Sequence, residues 1–155
     1  MLKYINIGIV FQEIPDEVTL SINISNCPCH CPGCHSSYLW EDTGTALDES
    51  AIDHFVSLYG EEITCVCFMG GDAEPENVDK LAKYIRSNYH SITTGWYSGK
   101  GKIAESVDIA NFDYIKIGPY IKELGGLKSP TTNQRLYRIR EGRELTDITN
   151  MFWKK

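Results

Sequence analysis

The chain has 155 residues, the size of one domain with one core, and residues 1–155 are expected to fold as a single unit. Its 42% apolar and 23% charged residues are those of an ordinary globular protein and argue against intrinsic disorder. A formal charge of −6 argues against a nucleic-acid partner. No apolar run approaches the roughly 20 residues that a membrane span requires, so no membrane association is expected.

In chain order, the N-terminal stretch MLKYINIGIVFQEIPDEV carries only a short apolar run that acidic residues interrupt. This argues against a secretory signal and for a cytoplasmic location. Residues 18–25, VTLSINIS, alternate apolar and polar and predict a strand. Four cysteines follow within eight residues: Cys27, Cys29, Cys31 and Cys34. Residues 48–59 predict a helix, with Asp48 as its cap, Ile52, Phe55, Val56 and Tyr59 on one stripe, and Gly60 as its stop. Residues 62–68, EITCVCF, read as a buried strand in which Cys65 and Cys67 share a face as small apolar side chains. A second helix is expected over 76–88, where Val78, Leu81, Ala82 and Ile85 line one side. Then come a strand over 92–97, a short helix over 102–110, a strand over 112–117 and a last strand near 136–139. Residues 116–143 hold seven Lys/Arg and two Glu, an excess of +5 against −11 for the rest of the chain. That excess reads as a solvated face, or as a docking patch or anion site.

Strands alternating with helices predict βαβ units and a largely parallel sheet. Ligand sites in such sheets gather at the carboxyl ends of the strands. The first four predicted strands run into the cysteine loop, Gly70-Gly71-Asp72, Ser98-Gly99 and Gly118-Pro119. A parallel sheet would place all four loops on one rim.

Cysteines this crowded cannot easily meet disulfide separations, and without a secretory signal they point to a metal or redox site. The spacing Cys27-x3-Cys31-x2-Cys34 supplies three thiolates on one short loop. Three thiolates suit an iron–sulfur cluster and leave one iron of a four-iron cluster open. Structural zinc is the competing reading; it prefers four ligands, and Cys29, His30, His35, Cys65 or Cys67 would have to complete the set. Gly70-Gly71-Asp72 is a common turn by itself, but small residues at a strand end let a ligand approach the backbone closely.

This cysteine spacing directly after a strand resembles the signature of the radical S-adenosylmethionine superfamily. Within it the chain is most similar to anaerobic ribonucleoside-triphosphate reductase activating proteins. The resemblance rests on CPCHCPGCHS with Gly33 before and His35 after the last cysteine, on Trp40, on Ile115-Lys116-Ile117-Gly118-Pro119-Tyr120 and on Thr131-Thr132-Asn133-Gln134-Arg135. It runs from about residue 18 to 140. Cys29 stands where relatives often have His, residue 36 is Ser where Asn is frequent, and the Gly-Pro-Gly element that often precedes the first strand is missing.

The resemblance implies an α/β fold, a partial (incomplete) parallel βα barrel. It implies a [4Fe-4S] cluster held by Cys27, Cys31 and Cys34, with S-adenosyl-L-methionine on the open iron and Cys29 a bystander. Gly33, Cys34, His35, Gly70, Gly71, Asp72 and Ser98 would bind that cofactor, with Asp72 and nearby carbonyls accepting from the methionine ammonium. Tyr97 and Ser98 would approach the ribose, Lys116 a polar interior, and Arg135 a carboxylate. No catalytic side chain is expected beyond the cluster and the cofactor. The implied activity is that of an oxidoreductase that generates a 5'-deoxyadenosyl radical and installs a glycyl radical on anaerobic ribonucleoside-triphosphate reductase. That reductase is the implied partner, and an external electron donor such as flavodoxin or ferredoxin is required. The alternatives are a compact radical S-adenosylmethionine enzyme acting on a small nucleotide-like substrate and a non-catalytic zinc module.

Overall fold

A computed structural model describes residues 1–29, 37–140 and 143–153. Among them are eight strands: β1 (Lys3–Val10), β2 (Thr19–Ile24), β3 (Thr45–Ala46), β4 (Cys65–Met69), β5 (Thr93–Tyr97), β6 (Tyr114–Ile117), β7 (Arg135–Arg140) and β8 (Glu144–Asp147). The described α-helices are α1 (Glu49–Tyr59) and α2 (Pro75–Asn88). The strands form one sheet in the order β3-β1-β2-β4-β5-β6-β7-β8. No described helix is long and apolar enough to cross a membrane.

The partial parallel βα barrel implied by the resemblance is not formed. Four of the seven strand pairings are antiparallel: β1 with β2, β1 with β3, β6 with β7 and β7 with β8. Only β2–β4, β4–β5 and β5–β6 pair in parallel. The sheet is therefore mixed, and it is not the largely parallel one that strand–helix alternation predicted. Two features account for the difference. Residues 3–10, read in sequence only as a short apolar run, form a strand that flanks β2 antiparallel. The helix expected over 102–110 does not form either. Its place is taken by turns and a 3-10 turn at Ile109–Asn111, where Asp108 accepts from Ala110 N at 3.0 Å. Asp79 holds this segment through Asp108 N (3.1 Å) and Asn111 Nδ2 (2.9 Å).

The two helices form as their patterns require. Asp48 caps α1 by accepting from Ala51 N at 2.9 Å, and Ile52 and Phe55 are buried. Pro75 opens α2, which buries Val78, Leu81, Ala82 and Ile85. Both pack on one face of the sheet, against Leu20, Ile22, Val66, Phe68, Trp96 and Ile115. Trp96 stacks on Phe112 there, with ring centroids 5.7 Å apart.

The opposite face has its own smaller cluster. Cys65, Cys67, Tyr114 and Leu136 meet Ile14 of the 11–18 segment and Leu127 of the long β6–β7 connection. One carboxylate ties the 11–18 strap across three strand entrances. Glu17 accepts from Thr64 Oγ1 (2.6 Å), Thr93 Oγ1 (3.2 Å) and Tyr114 Oη (2.7 Å). Glu17→Ala strips a partner from each of these hydroxyls. It is expected to lower the unfolding free energy by about 1–3 kcal/mol, read as a lower denaturant midpoint at constant slope. An unchanged midpoint would show that the strap is held by other contacts.

Candidate functional site

Side chains on a strand alternate between faces, so in-register pairing aligns whole rows. Asn23, Met69, Tyr97 and Lys116 are successive partners across β2, β4, β5 and β6. They lie on the face away from the helices and floor a cavity of ≈ 390 Å³. Cys27, Cys29, Gly70, Asp72 and Gly99 reach the same cavity from the loops at the carboxyl ends of these strands.

The base of the cysteine loop is closed by backbone pairing: Asn26 N donates to Glu41 O (2.9 Å) and Cys27 N to Leu39 O (3.0 Å). Asn26 takes φ 61°, which turns the chain sharply out of β2. The next strand-end loop depends on its two glycines. Gly70 and Gly71 have φ 109° and 89°, and a Cβ on Gly71 would stand 2.5 Å from Val78 Cγ2. The Gly70 carbonyl accepts from the Trp96 indole at 2.7 Å, while its N–H donates to Tyr97 O at 3.0 Å.

Asp72 joins three loops. Its carboxylate accepts from Ser98 Oγ (2.5 Å), from Gly99 N (2.8 Å) and from Cys29 Sγ (3.8 Å). Ser98 lies buried behind it and accepts in turn from Lys100 N at 3.1 Å. Lys116, only 8% exposed, donates to Ser98 O (3.0 Å) and Gly118 O (2.9 Å) and sits 5.7 Å above the Tyr97 ring. Burial raises the Tyr97 hydroxyl well above its ordinary pKa of 10.0. It stays protonated and donates to the Glu13 carbonyl.

Of the residues singled out in sequence, Cys27, Gly70 and Asp72 are brought to one cavity, with Cys29 beside them. Ser98 supports Asp72 from below, and Gly71 packs on α2. Tyr97 and Lys116 line the cavity, whereas Arg135 pairs with Asp147 at 3.8 Å. Cys31, Gly33, Cys34 and His35 lie outside the described residues. Glu13, Asn23, Trp40, Tyr120 and Gln134 also line the cavity. Gln134 and Tyr120 belong to segments whose motifs stood out; Glu13 and Asn23 carried no chemical signal of their own.

Among the described residues, no group of three or more His, Cys, Asp or Glu is assembled for a metal ion. The donor chemistry fits an iron–sulfur cluster, because the Cys27 thiol faces an open cavity rather than a closed shell. Cys65 and Cys67 are fully buried and do not line it. Burial pushes Cys65 from 9.0 to about 12, and Cys67 well above 9.0.

The family model described as a 4Fe-4S single cluster domain matches residues 17–124, and the chain belongs to that family. It binds iron–sulfur. No curated protein matches the chain, and no solved structure matches it.

Three outcomes follow from this geometry. A thiol reagent near neutral pH is expected to leave Cys65 and Cys67 unmodified in the folded chain and to label both after denaturation, as read by mass spectrometry. The folded Cys65 thiol keeps its proton where the unfolded one loses it. The stability it contributes is therefore complete below pH 9.0 and falls as pH rises toward about 12. Asp72→Ala leaves Ser98 and Gly99 N without their acceptor and should lower the melting midpoint by the equivalent of about 1–3 kcal/mol. Asp72→Asn, which keeps one acceptor oxygen, should lose less.

Proposed function

We propose that this iron–sulfur protein is a radical S-adenosylmethionine enzyme that activates a glycyl-radical reductase of the anaerobic ribonucleoside-triphosphate class. The observation that carries the reading is the convergence of Cys27, Gly70, Asp72 and Gly99 on one open cavity at the ends of adjacent parallel strands. The family's four-iron cluster and the cysteine spacing support it.

Cys27, Cys31 and Cys34 would hold the cluster in this reading. A cluster held there would supply one electron for reductive cleavage of S-adenosylmethionine, with one hydrogen atom of a glycine Cα passing to the cleaved adenosyl group and an external donor of the flavodoxin or ferredoxin class restoring the electron. The chain's part is to bind and orient. Gly70 keeps its φ of 109° and leaves the cavity wall without a side chain, so a ligand can approach the backbone. Asp72 holds the Ser98-Gly99 turn in place, and Ser98 and Gly118 in turn hold the Lys116 ammonium beneath the cavity, where its charge favours a carboxylate. Gly33, His35, Gly71 and Ser98 complete the proposed cofactor site from loop positions.

A protein substrate is favoured by the room beside this cavity. A second cavity of ≈ 760 Å³ shares Glu13, Tyr97, Lys116, Tyr120 and Gln134 with the first and runs between the 11–18 strap and the 119–134 connection. A loop of a partner protein could enter there and exclude water from the reacting carbon. The proposed setting is a reducing, anaerobic cytoplasm, with residues 1–155 acting as one domain.

Anaerobic reconstitution tests the reading. Cys27→Ala, Cys31→Ala and Cys34→Ala are each expected to abolish iron and sulfide binding, and Cys29→Ala to retain both. The electron paramagnetic resonance spectrum of the reduced protein should change on adding S-adenosylmethionine, and a glycyl doublet should appear once the reductase is present. Stoichiometric zinc without iron, or a spectrum indifferent to S-adenosylmethionine, would overturn it. Cofactor cleavage driven by a free nucleotide, with no radical on the reductase, would assign the small-molecule alternative.

A further inference from the structure

We infer that a second ligand site, for a phosphate-bearing small anion, lies at the opposite end of the sheet from the cysteine loop. The inference does not depend on the proposed activity. The β7 strand runs antiparallel to β6 and places Arg138 opposite Tyr114, at the entrance of β6 rather than at its cavity end. Arg138 and Arg140 alternate along β7 and so share a face. With Arg86 and Arg143 they surround a cavity of ≈ 440 Å³, a volume in the range of small-molecule sites.

The four guanidinium groups differ in how they are held. Arg86, in the last turn of α2, donates to Asp113 at 3.1 Å, and the same carboxylate is fixed by Thr94 N at 2.9 Å. Arg143 makes a two-pronged pair with Asp108 at 3.0 and 3.1 Å. These two arginines are compensated and form fixed walls. Among the described residues Arg138 and Arg140 enter no ion pair, although Glu144 is the register partner of Arg140. Arg138 is oriented by the Tyr114 ring, 5.9 Å below its Cζ. Among the described residues, Arg138 and Arg140 thus have no carboxylate partner, and they line one cavity together with buried Phe112 and Ile139, in a chain whose formal charge is −6.

That arrangement selects its ligand class. Guanidinium forks match the paired oxygens of phosphate, and two of them at alternate strand positions suit a chain of two or more phosphates better than one carboxylate. The shared chemistry is a polyphosphate group, either free or at the end of a nucleotide.

Calorimetric titration of the full chain, before and after cluster reconstitution, tests this with three probes: inorganic pyrophosphate, a nucleoside triphosphate and the bare nucleoside. Pyrophosphate and the triphosphate are expected to bind saturably and compete, and the nucleoside is expected not to bind. If pyrophosphate accounts for the whole affinity, the site reads a diphosphate alone; tighter binding of the triphosphate shows that the third phosphate or the nucleoside adds contacts. The double variant Arg138→Ala, Arg140→Ala should weaken either ligand about tenfold or more. Arg140→Lys should recover part of the loss by charge alone. Arg135→Ala, on the same strand and outside the cavity, should change nothing. Both arginines are exposed, so the circular dichroism and melting of the variants should match those of the parent chain. Absence of saturable binding to both phosphate probes, or affinity indifferent to the double variant, would overturn the assignment.

Discussion

The in-register parallel pairing of β2, β4, β5 and β6 is the constraint on which the rest of the molecule depends. It sets Ile22, Phe68, Trp96 and Ile115 in one row under the helices and Asn23, Met69, Tyr97 and Lys116 in the next row on the other face. A slip of one residue would exchange the faces, burying a lysine under α2 and exposing Phe68 and Trp96. Bulk on one face and a gap on the other resist that slip. Gly95 occupies the row of Ser21, Cys67 and Tyr114, and a Cβ there would come within 3.3 Å of Cys67 Sγ and 3.4 Å of Ile14 Cδ1. The missing side chain lets the strap lie flat across the sheet. With Glu17 it fixes which face can receive a ligand.

On that frame the strand-end loops are stitched to one another rather than placed independently. A continuous run of contacts leads from Cys29 to Asp72, on to Ser98 and Gly99, through the Ser98 carbonyl to Lys116, and so to Gly118. The Trp96 indole adds a link from the core to the Gly70 carbonyl. Charged groups accept or donate at most of these links, and such bonds are stronger than neutral ones. The cost is that Asp72 is committed to the chain's own donors, on both carboxylate oxygens. These bonds hold the rim in shape, and a carboxylate that accepts three of them still has acceptor capacity left for a ligand.

The sequence made the middle of this structure legible and left its edges hidden. Helical stripes and period-two runs revealed α1, α2, β2, β4, β5, β6 and β7, because each buries one face against a layer that spans the molecule. In β1 the same alternation is present at Ile5, Ile7 and Ile9, but an N-terminal apolar run carries no signal of which neighbour it will join. The β3 and β8 strands are too short to show a period at all. Extending the strand–helix rhythm to the whole chain led to a largely parallel sheet, and the 102–110 segment broke that rhythm by turning on Asp108 instead of coiling. At the site, Cys27, Gly70 and Asp72 were visible because strand ends collect ligands. Glu13 and Asn23 were not, since a strap glutamate and a strand asparagine acquire a shared wall only through tertiary pairing.

The antiparallel edges also decide what can close the cavity. A parallel barrel would wrap its strand ends around a ligand. Here β1 and β7 flank the parallel centre in the reverse sense, and β3 and β8 end the sheet on either side. The face above Tyr97 and Lys116 is bounded by the strap, held to the β6–β7 connection by the Lys128–Gln12 hydrogen bond of 2.6 Å. That hydrogen bond is exposed and contributes about 1 kcal/mol at most, while buried Ile14 packed with Leu127 joins the same two segments from below. Under the proposed activity, water must be kept from the reacting carbon, and among the described residues none closes over the cavity. A partner loop entering between the strap and the β6–β7 connection would supply such a surface under that activity.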